Sequence, residues 1–390
     1  MKPDSQPNLF PSFDSIEAVL WPAAALAVFV VTAVLVDLMI ILAARWRLVD
    51  LPNRRSAHAL PTARGGGLAI VLTTALASIM VALRWPPAAF GILAGVIVPC
   101  LVIAVVGIID DVQPLKASLR LLIQIGVGAA ITAALGPLTT IAIPGLPVLE
   151  LGWVGWPLTV LWIVGMTNAF NFMDGSDGMA ALGGVVAGVA MAAIGWQLRI
   201  HLPLLLAAFA AAAAGGFLVF NWQPARVFMG DVGSAFLGTY LAAVPLAFPE
   251  PQRSLVFIPM VLALWPYIFD PFVSVLRRVY HGKNPFEPHR EFLFHRLIRS
   301  GITHGSTARL YALLAAVGGF VGILMVAKLQ DEVRACGPLL VIALAGGLAC
   351  AIERRCARVG LPSAAGPAAG AAPVSISAAV PATDPPAAAR

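Results

Sequence analysis

Two aspartates, Asp110 and Asp111, stand side by side at the end of an apolar run in VVGIIDDVQPLKASLR, with Lys116 and Arg120 close behind. Adjacent carboxylates raise one another's pKa unless a cation compensates. Hard oxygen ligands at a membrane edge suit Mg²⁺, particularly when phosphates complete its shell. A polar cap at a helix end accounts for the pair equally well. A second set follows in TNAFNFMDGSDGMA. On one continuous helix Asn168, Asn171 and Asp174 fan over about 120°, and Asp177 widens the fan to about 180°. Gly175 and Gly178 therefore predict that the helix opens into a loop, where four polar groups converge. Asn and Asp-Gly pairs also make plain turns, but two amides leading into two carboxylates exceed what a turn requires.

A third set is FNWQPARVFMGDVGSAFLG, where Asp231 lies between Gly230 and Gly233, and Asn221, Arg226 and Ser234 add polar atoms. Glycine on both sides lets backbone N–H groups approach a phosphate or a metal-bound ligand. A tight turn with a helix N-cap is the competing account. Two basic segments accompany the acids. RWRLVDLPNRRSAHALPTARGGGLAI offers Arg54, Arg55, His58 and Arg64 to phosphate charge and ends in three glycines before a helix, a place for a diphosphate to meet backbone N–H groups. Orientation of the protein in its bilayer explains those arginines equally well. The second, RRVYHGKNPFEPHREFLFHRLIRSGITHG, holds four of the six histidines, His281, His289, His295 and His304.

The elements that must position these groups are membrane helices. Of 390 residues, 59% are hydrophobic and 11% charged, and the mean hydropathy is +0.89, far from the balance of a soluble domain. About eleven nearly uncharged runs are long enough to approach the roughly 20 residues of a bilayer span: 17–44, 66–83, 89–109, 119–138, 152–171, 178–196, 203–220, 233–248, 255–276, 307–328 and 338–353. The predicted fold is an all-α integral membrane protein. Its parts are a polar N-terminal segment (1–16), a transmembrane domain (17–353) and a disordered Ala/Pro-rich cytoplasmic tail (354–390). The first run lacks a basic leader and a small-residue cleavage site, so it reads as a retained helix. The four cysteines show no disulfide or zinc spacing.

With the N-terminus on the periplasmic side and the C-terminus in the cytoplasm, 19 Lys and Arg fall inside and six outside. That asymmetry accounts for the net charge of +6 without nucleic acid as a partner. Nearly every unusual polar cluster then faces the cytoplasm.

Taken in order, PNRRSAHALPTARGGG, GIIDD, NAFNFMDGSDGMA, NWQPARVFMGDVGS and the His/Arg loop resemble the polyprenyl-phosphate sugar-1-phosphate transferases, collinearly from about residue 45 to about 312. That family includes the phospho-MurNAc-pentapeptide and GlcNAc-1-phosphate transferases that charge undecaprenyl-phosphate. The resemblance implies a Mg²⁺-dependent enzyme, with Mn²⁺ as a substitute, in a bacterial inner membrane. Such an enzyme takes a UDP-sugar as donor and undecaprenyl-phosphate as acceptor, releases UMP and starts a lipid-linked envelope glycan; a homodimer is compatible with it.

Carried over residue by residue, Asp110 and Asp111 match the paired catalytic aspartates and Asp231 the magnesium-binding aspartate. Asn171, Asp174 and Asp177 match the nucleotide and metal pocket, with Asn168 beside them as a further donor-binding candidate, and His289 and Arg290 the loop against the donor diphosphate or sugar. Arg54, Arg55, His58, Arg64, Lys116 and Arg226 are the candidate phosphate contacts. The chain departs from the family where EFLFHR replaces a histidine-rich HLHHR-like string, so Phe292 and Phe294 stand in place of imidazoles or a tyrosine. NWQPARVFMGDVGS with PFEPHREFLF resembles the branch acting in O-antigen or capsule initiation. The competing class is a transporter or lipid flippase with Asp37 and Asp270 along its route.

Overall fold

The computed structural model describes residues 17–46, 49–50, 62–84, 87–143, 145–284, 291–327 and 331–361. In chain order the helices are α1 (Glu17–Trp46), α2 (Gly67–Arg84), α3 (Pro87–Val112), α4 (Ala117–Leu135), α5 (Gly155–Met173) and α6 (Met179–Leu198), then α7 (His201–Asn221), α8 (Gly230–Ala243), α9 (Gln252–Tyr280), α10 (Leu293–Arg299), α11 (His304–Val326) and α12 (Asp331–Arg358). Each of the eleven expected runs falls on one of these helices, and α10 is a short extra turn in the basic loop. Among the described residues, eight helices are long and apolar enough to cross a membrane. The chain is an all-α integral membrane protein. Among the described residues the strands form two minimal antiparallel pairs, β1 (Val49–Asp50) with β2 (Thr62–Ala63) and β3 (Thr140–Ile141) with β4 (Leu149–Glu150). The last helix continues to Arg358, beyond the run expected to end at 353.

Large apolar side chains face outward along α1, α3 and α4, among them Leu26, Val34, Val98, Val105 and Leu122. Small residues pack inward, as a bundle without a hydrophobic drive between its helices requires. Helix α8 sits at the centre, almost wholly buried, against α2, α3 and α5. Glycine makes those approaches so close that a Cβ on Gly67, Gly107 or Gly238 would lie within 2.6 Å of backbone atoms of the facing helix. Hydroxyl pairs across helices add direction: Thr32 with Thr73 at 2.7 Å, Thr167 with Thr239 at 2.7 Å, and Ser78 with Tyr240 at 3.1 Å. On the other side α6 packs on α7 and α11, and α11 on α9.

One consequence of this packing corrects an expectation. The N–H groups of Gly66 and Gly67 donate to the carbonyls of Phe228 and Met229, each at 3.0 Å, and Phe228 N–H donates to Ala63 O at 2.8 Å. The glycine triplet therefore does not offer the N–H groups of Gly66 and Gly67 to a phosphate. It stitches the segment before α2 to the segment before α8.

Candidate active site

Helix α8 begins without a capping side chain of its own, because the residue before it is Met229. Its first N–H groups would be orphaned. Carboxylates from two other helices take them. Asp111, at the end of α3, accepts from Asp231 N–H at 3.1 Å through Oδ1 and from Val232 N–H at 3.2 Å through Oδ2. Asp174, at the end of α5, accepts from Gly230 N–H. Negative charge at a helix N-terminus is favourable, and here it locks the ends of three helices to one point.

Arginines balance part of the charge. Arg64 lies 2.9 Å from Asp111 Oδ1. Arg120, from the first turn of α4, lies 2.5 Å from Asp110 Oδ2 and 3.3 Å from Asp231 Oδ2. The other oxygen of Asp110 accepts from Leu115 N–H at 2.6 Å. Asp231 shares a hydrogen bond with Asp110 and another with Asn171, whose amide also donates to Ser234 Oγ at 3.1 Å. Burial, then the hydrogen bond with Asp110 and the charges of Asp111 and Asp110, push the Asp231 carboxyl up to about 7. Asp174 is raised as well, first by burial and then by Asp231 and Asp111. Burial is the first cause in both, and the neighbouring carboxylates add to it.

Residues 93–248 match the family described as Glycosyl transferase family 4. Over 280 residues the chain is 35% identical to a probable undecaprenyl-phosphate N-acetylglucosaminyl 1-phosphate transferase of Bacillus subtilis (strain 168), covering 70% of this chain and 75% of that relative. The chain belongs to glycosyl transferase family 4. It is also 29% identical to a decaprenyl-phosphate N-acetylglucosaminephosphotransferase of Mycolicibacterium smegmatis, over 72% of this chain and 76% of the relative. A phospho-N-acetylmuramoyl-pentapeptide-transferase of Synechococcus is 41% identical over 135 residues, 34% of this chain and 39% of that protein. The matched family region contains all four carboxylates around the start of α8.

Within this family member the other expected site residues divide. Asp177 accepts from Ala225 N–H at 3.2 Å, so it ties the loop after α5 to the loop before α8. Asn168 turns away from the cluster: its amide donates to Gln124 on α4 at 2.6 Å and to Val164 O at 2.8 Å. Lys116 is exposed at the start of α4, and Arg120, one turn on, is the residue that reaches the carboxylates. Arg226 lies 3.7 Å from Asp37 and over the Phe220 ring at 5.1 Å. Arg54, Arg55, His58, His289 and Arg290 lie outside the described residues.

Two further residues join the site without having been singled out for it. Ser176 Oγ is 2.9 Å from His304 Nδ1, which links the DGSDG loop to the start of α11. Gln223 Oε1 accepts from Gly305 N–H at 2.6 Å, a second link to the same place. Neither has a sequence signal beyond polarity. The transporter reading needs Asp37 and Asp270 along a route. Asp37 instead faces Arg226, and Asp270 is fully buried and accepts four hydrogen bonds from protein groups.

Proposed function

We propose that the chain transfers an N-acetylhexosamine-1-phosphate from a UDP-sugar to undecaprenyl-phosphate, releasing UMP, at the cytoplasmic face of a bacterial inner membrane. The observation that carries this reading is the convergence of Asp110, Asp111, Asp174 and Asp231 on the N-terminus of α8, inside the family-matched region. N-acetylglucosamine-1-phosphate is the first group to test, because two of the relatives are named for it. Eleven spans with the N-terminus outside would put the cluster on the side that carries most Lys and Arg, which supports the cytoplasmic assignment.

In this reaction an oxygen of the acceptor phosphate forms a bond to the β-phosphorus of the donor. The bond from that phosphorus to the bridging oxygen breaks, and UMP leaves with the electron pair. The second pKa of a phosphate monoester is about 6, so near neutrality the acceptor is already largely dianionic and needs no strong base. Positioning and charge neutralisation do most of the work in such a transfer. Arg64 and Arg120 supply fixed positive charge, Asp111 and Asp174 hold α8 in place, and Asp231 presents its carboxyl from the first turn of that helix.

Among the described residues no three His, Cys, Asp or Glu side chains form a ready-made metal cage. That fits Mg²⁺, which binds through one or two carboxylates, water and substrate phosphates. Asp231 lies beside Asp110 and within the same cluster as Asp111 and Asp174, so a cation bound there would meet several carboxylate oxygens. Asp231 is the proposed first ligand, with Asp110 beside it. Bound there, Mg²⁺ would stabilise charge developing on the donor oxygens. The test is Asp231→Asn in purified enzyme given UDP-N-acetylglucosamine and undecaprenyl-phosphate. UMP release should disappear while the protein still inserts and purifies; near-normal turnover sinks the ligand assignment.

A further inference from the structure

The arrangement that builds the start of α8 occurs a second time, around α10. Phe292 precedes α10 and has no group that could cap it. The missing acceptor comes from the middle of α9. Asp270 Oδ1 accepts from Leu293 N–H at 2.6 Å and Oδ2 from Phe294 N–H at 2.9 Å. Ser274 Oγ donates to Oδ1 at 3.1 Å, and the Tyr311 hydroxyl of α11 donates to Oδ2 at 2.7 Å. Each oxygen thus accepts one backbone and one side-chain hydrogen bond, at a residue with no solvent exposure.

What the clamp holds is close to the chemistry. The chain entering α10 stacks Phe292 on Phe172 of α5 at 5.6 Å between ring centres. A Cβ built on Gly175 would lie 3.3 Å from both Phe294 Cζ and His295 Nε2. Gly175 follows Asp174, the residue that accepts from the first N–H of α8. Tyr311 is itself placed by Tyr267, whose ring it meets edge-on and whose hydroxyl donates to Met179 O at 3.0 Å. A continuous set of contacts therefore runs from the centre of α9 to the loop that supports the carboxylate cluster.

We propose that Asp270 is a positioning residue of the transferase: clamped by Tyr311 and Ser274, it fixes the start of α10 and so sets Phe294 and His295 against Gly175. The claim about turnover rests on the proposed transferase reading, whereas the claim about α10 does not. An asparagine at 270 keeps one accepting oxygen and turns an NH₂ toward one backbone and one side-chain donor. Tyr311→Phe removes a single donor and leaves the carboxylate in place.

The experiment compares full-length wild type, Asp270→Asn and Tyr311→Phe in detergent, by amide hydrogen exchange and by UMP release with UDP-N-acetylglucosamine and undecaprenyl-phosphate. In Asp270→Asn the amides of 293–299 should exchange at least tenfold faster while those of α6 and α8 keep their protection. The kcat should fall at least tenfold with the donor KM within threefold, and Tyr311→Phe should fall between. If Asp270→Asn does not fold, Tyr311→Phe decides, with α10 exchange and kcat moving together. Unchanged α10 protection overturns the proposal, as does activity lost only in proportion to loss of folded protein. Should the wild type release no UMP, the proposed function fails alone, and α10 exchange still decides whether Asp270 holds that helix.

Discussion

Gly67→Ala is the sharpest probe of how the site is positioned. A Cβ at residue 67 would sit 2.4 Å from Gly233 Cα, 2.6 Å from Met229 O and 2.7 Å from Gly233 N. All three are backbone atoms, so no side chain can rotate away. Ordinary contact starts near 3.4 Å, so α2 and the first turn of α8 must separate by about 1 Å, and Asp231 lies in that turn. Overpacking of this kind costs about 1–3 kcal/mol of stability, and a misplacement of about 1 Å can cost on the order of 10²-fold in rate. UMP release and thermal unfolding should be measured together, beside Gly165→Ala, where an added Cβ meets nothing within 4 Å. The control should keep wild-type turnover to within about twofold, as an open site allows. Wild-type turnover in Gly67→Ala would refute the idea that this contact sets the position of Asp231.

Chelation of divalent cations with EDTA should abolish UMP release, and Mg²⁺, or Mn²⁺ in its place, should restore it; full activity in EDTA would remove the cation from the mechanism. Asp111→Asn leaves one oxygen for two backbone donors and loses the partner of Arg64. It should cost about 1.5–3 kcal/mol of stability, the range for hydrogen bonds to charged groups, and turnover should fall as α8 loosens; an unchanged melting temperature would contradict the capping role. Asn168→Ala should cost about 1 kcal/mol through its bond to Gln124 and leave donor KM unchanged. A rise in donor KM with kcat unchanged would return Asn168 to the donor pocket.

Composition and uncharged run length were enough to show where the apolar helices fall, eight of which among the described residues are long and apolar enough to cross a membrane, because a bilayer imposes both. The carboxylates were legible for a related reason, since acids at the ends of apolar runs are costly and stand out. What stayed hidden depends on which helices become neighbours. Asn168 and Asn171 have the same chemistry and the same sequence context, yet three residues of helical rotation send one to Gln124 and the other to Ser234. Lys116 and Arg120 are equally basic and close to the acids in sequence, but only the rotation of α4 shows which reaches Asp110. The three glycines suggested an anion cradle; only the pairing with residues 227–229 shows that their role is close approach. Asp270 looked like an intramembrane acid on a transport path, and three of its four donors come from residues 23 to 41 positions further on.

The capping of α8 from two other helices also sets an order on biosynthesis. Asp111 and Asp174 leave the ribosome before Gly230, Asp231 and Val232, whose amides they accept. A nascent chain that stops short of residue 230 therefore holds two carboxylates at the ends of α3 and α5 with no partner from α8. Emergence of the GDVGS turn supplies those amides and joins α3 and α5 through a shared partner. A chain truncated before that turn should keep the contacts of α7 with α1, α2 and α6 but leave the ends of α3 and α5 unjoined and more open to proteolysis than in a chain carried past α8.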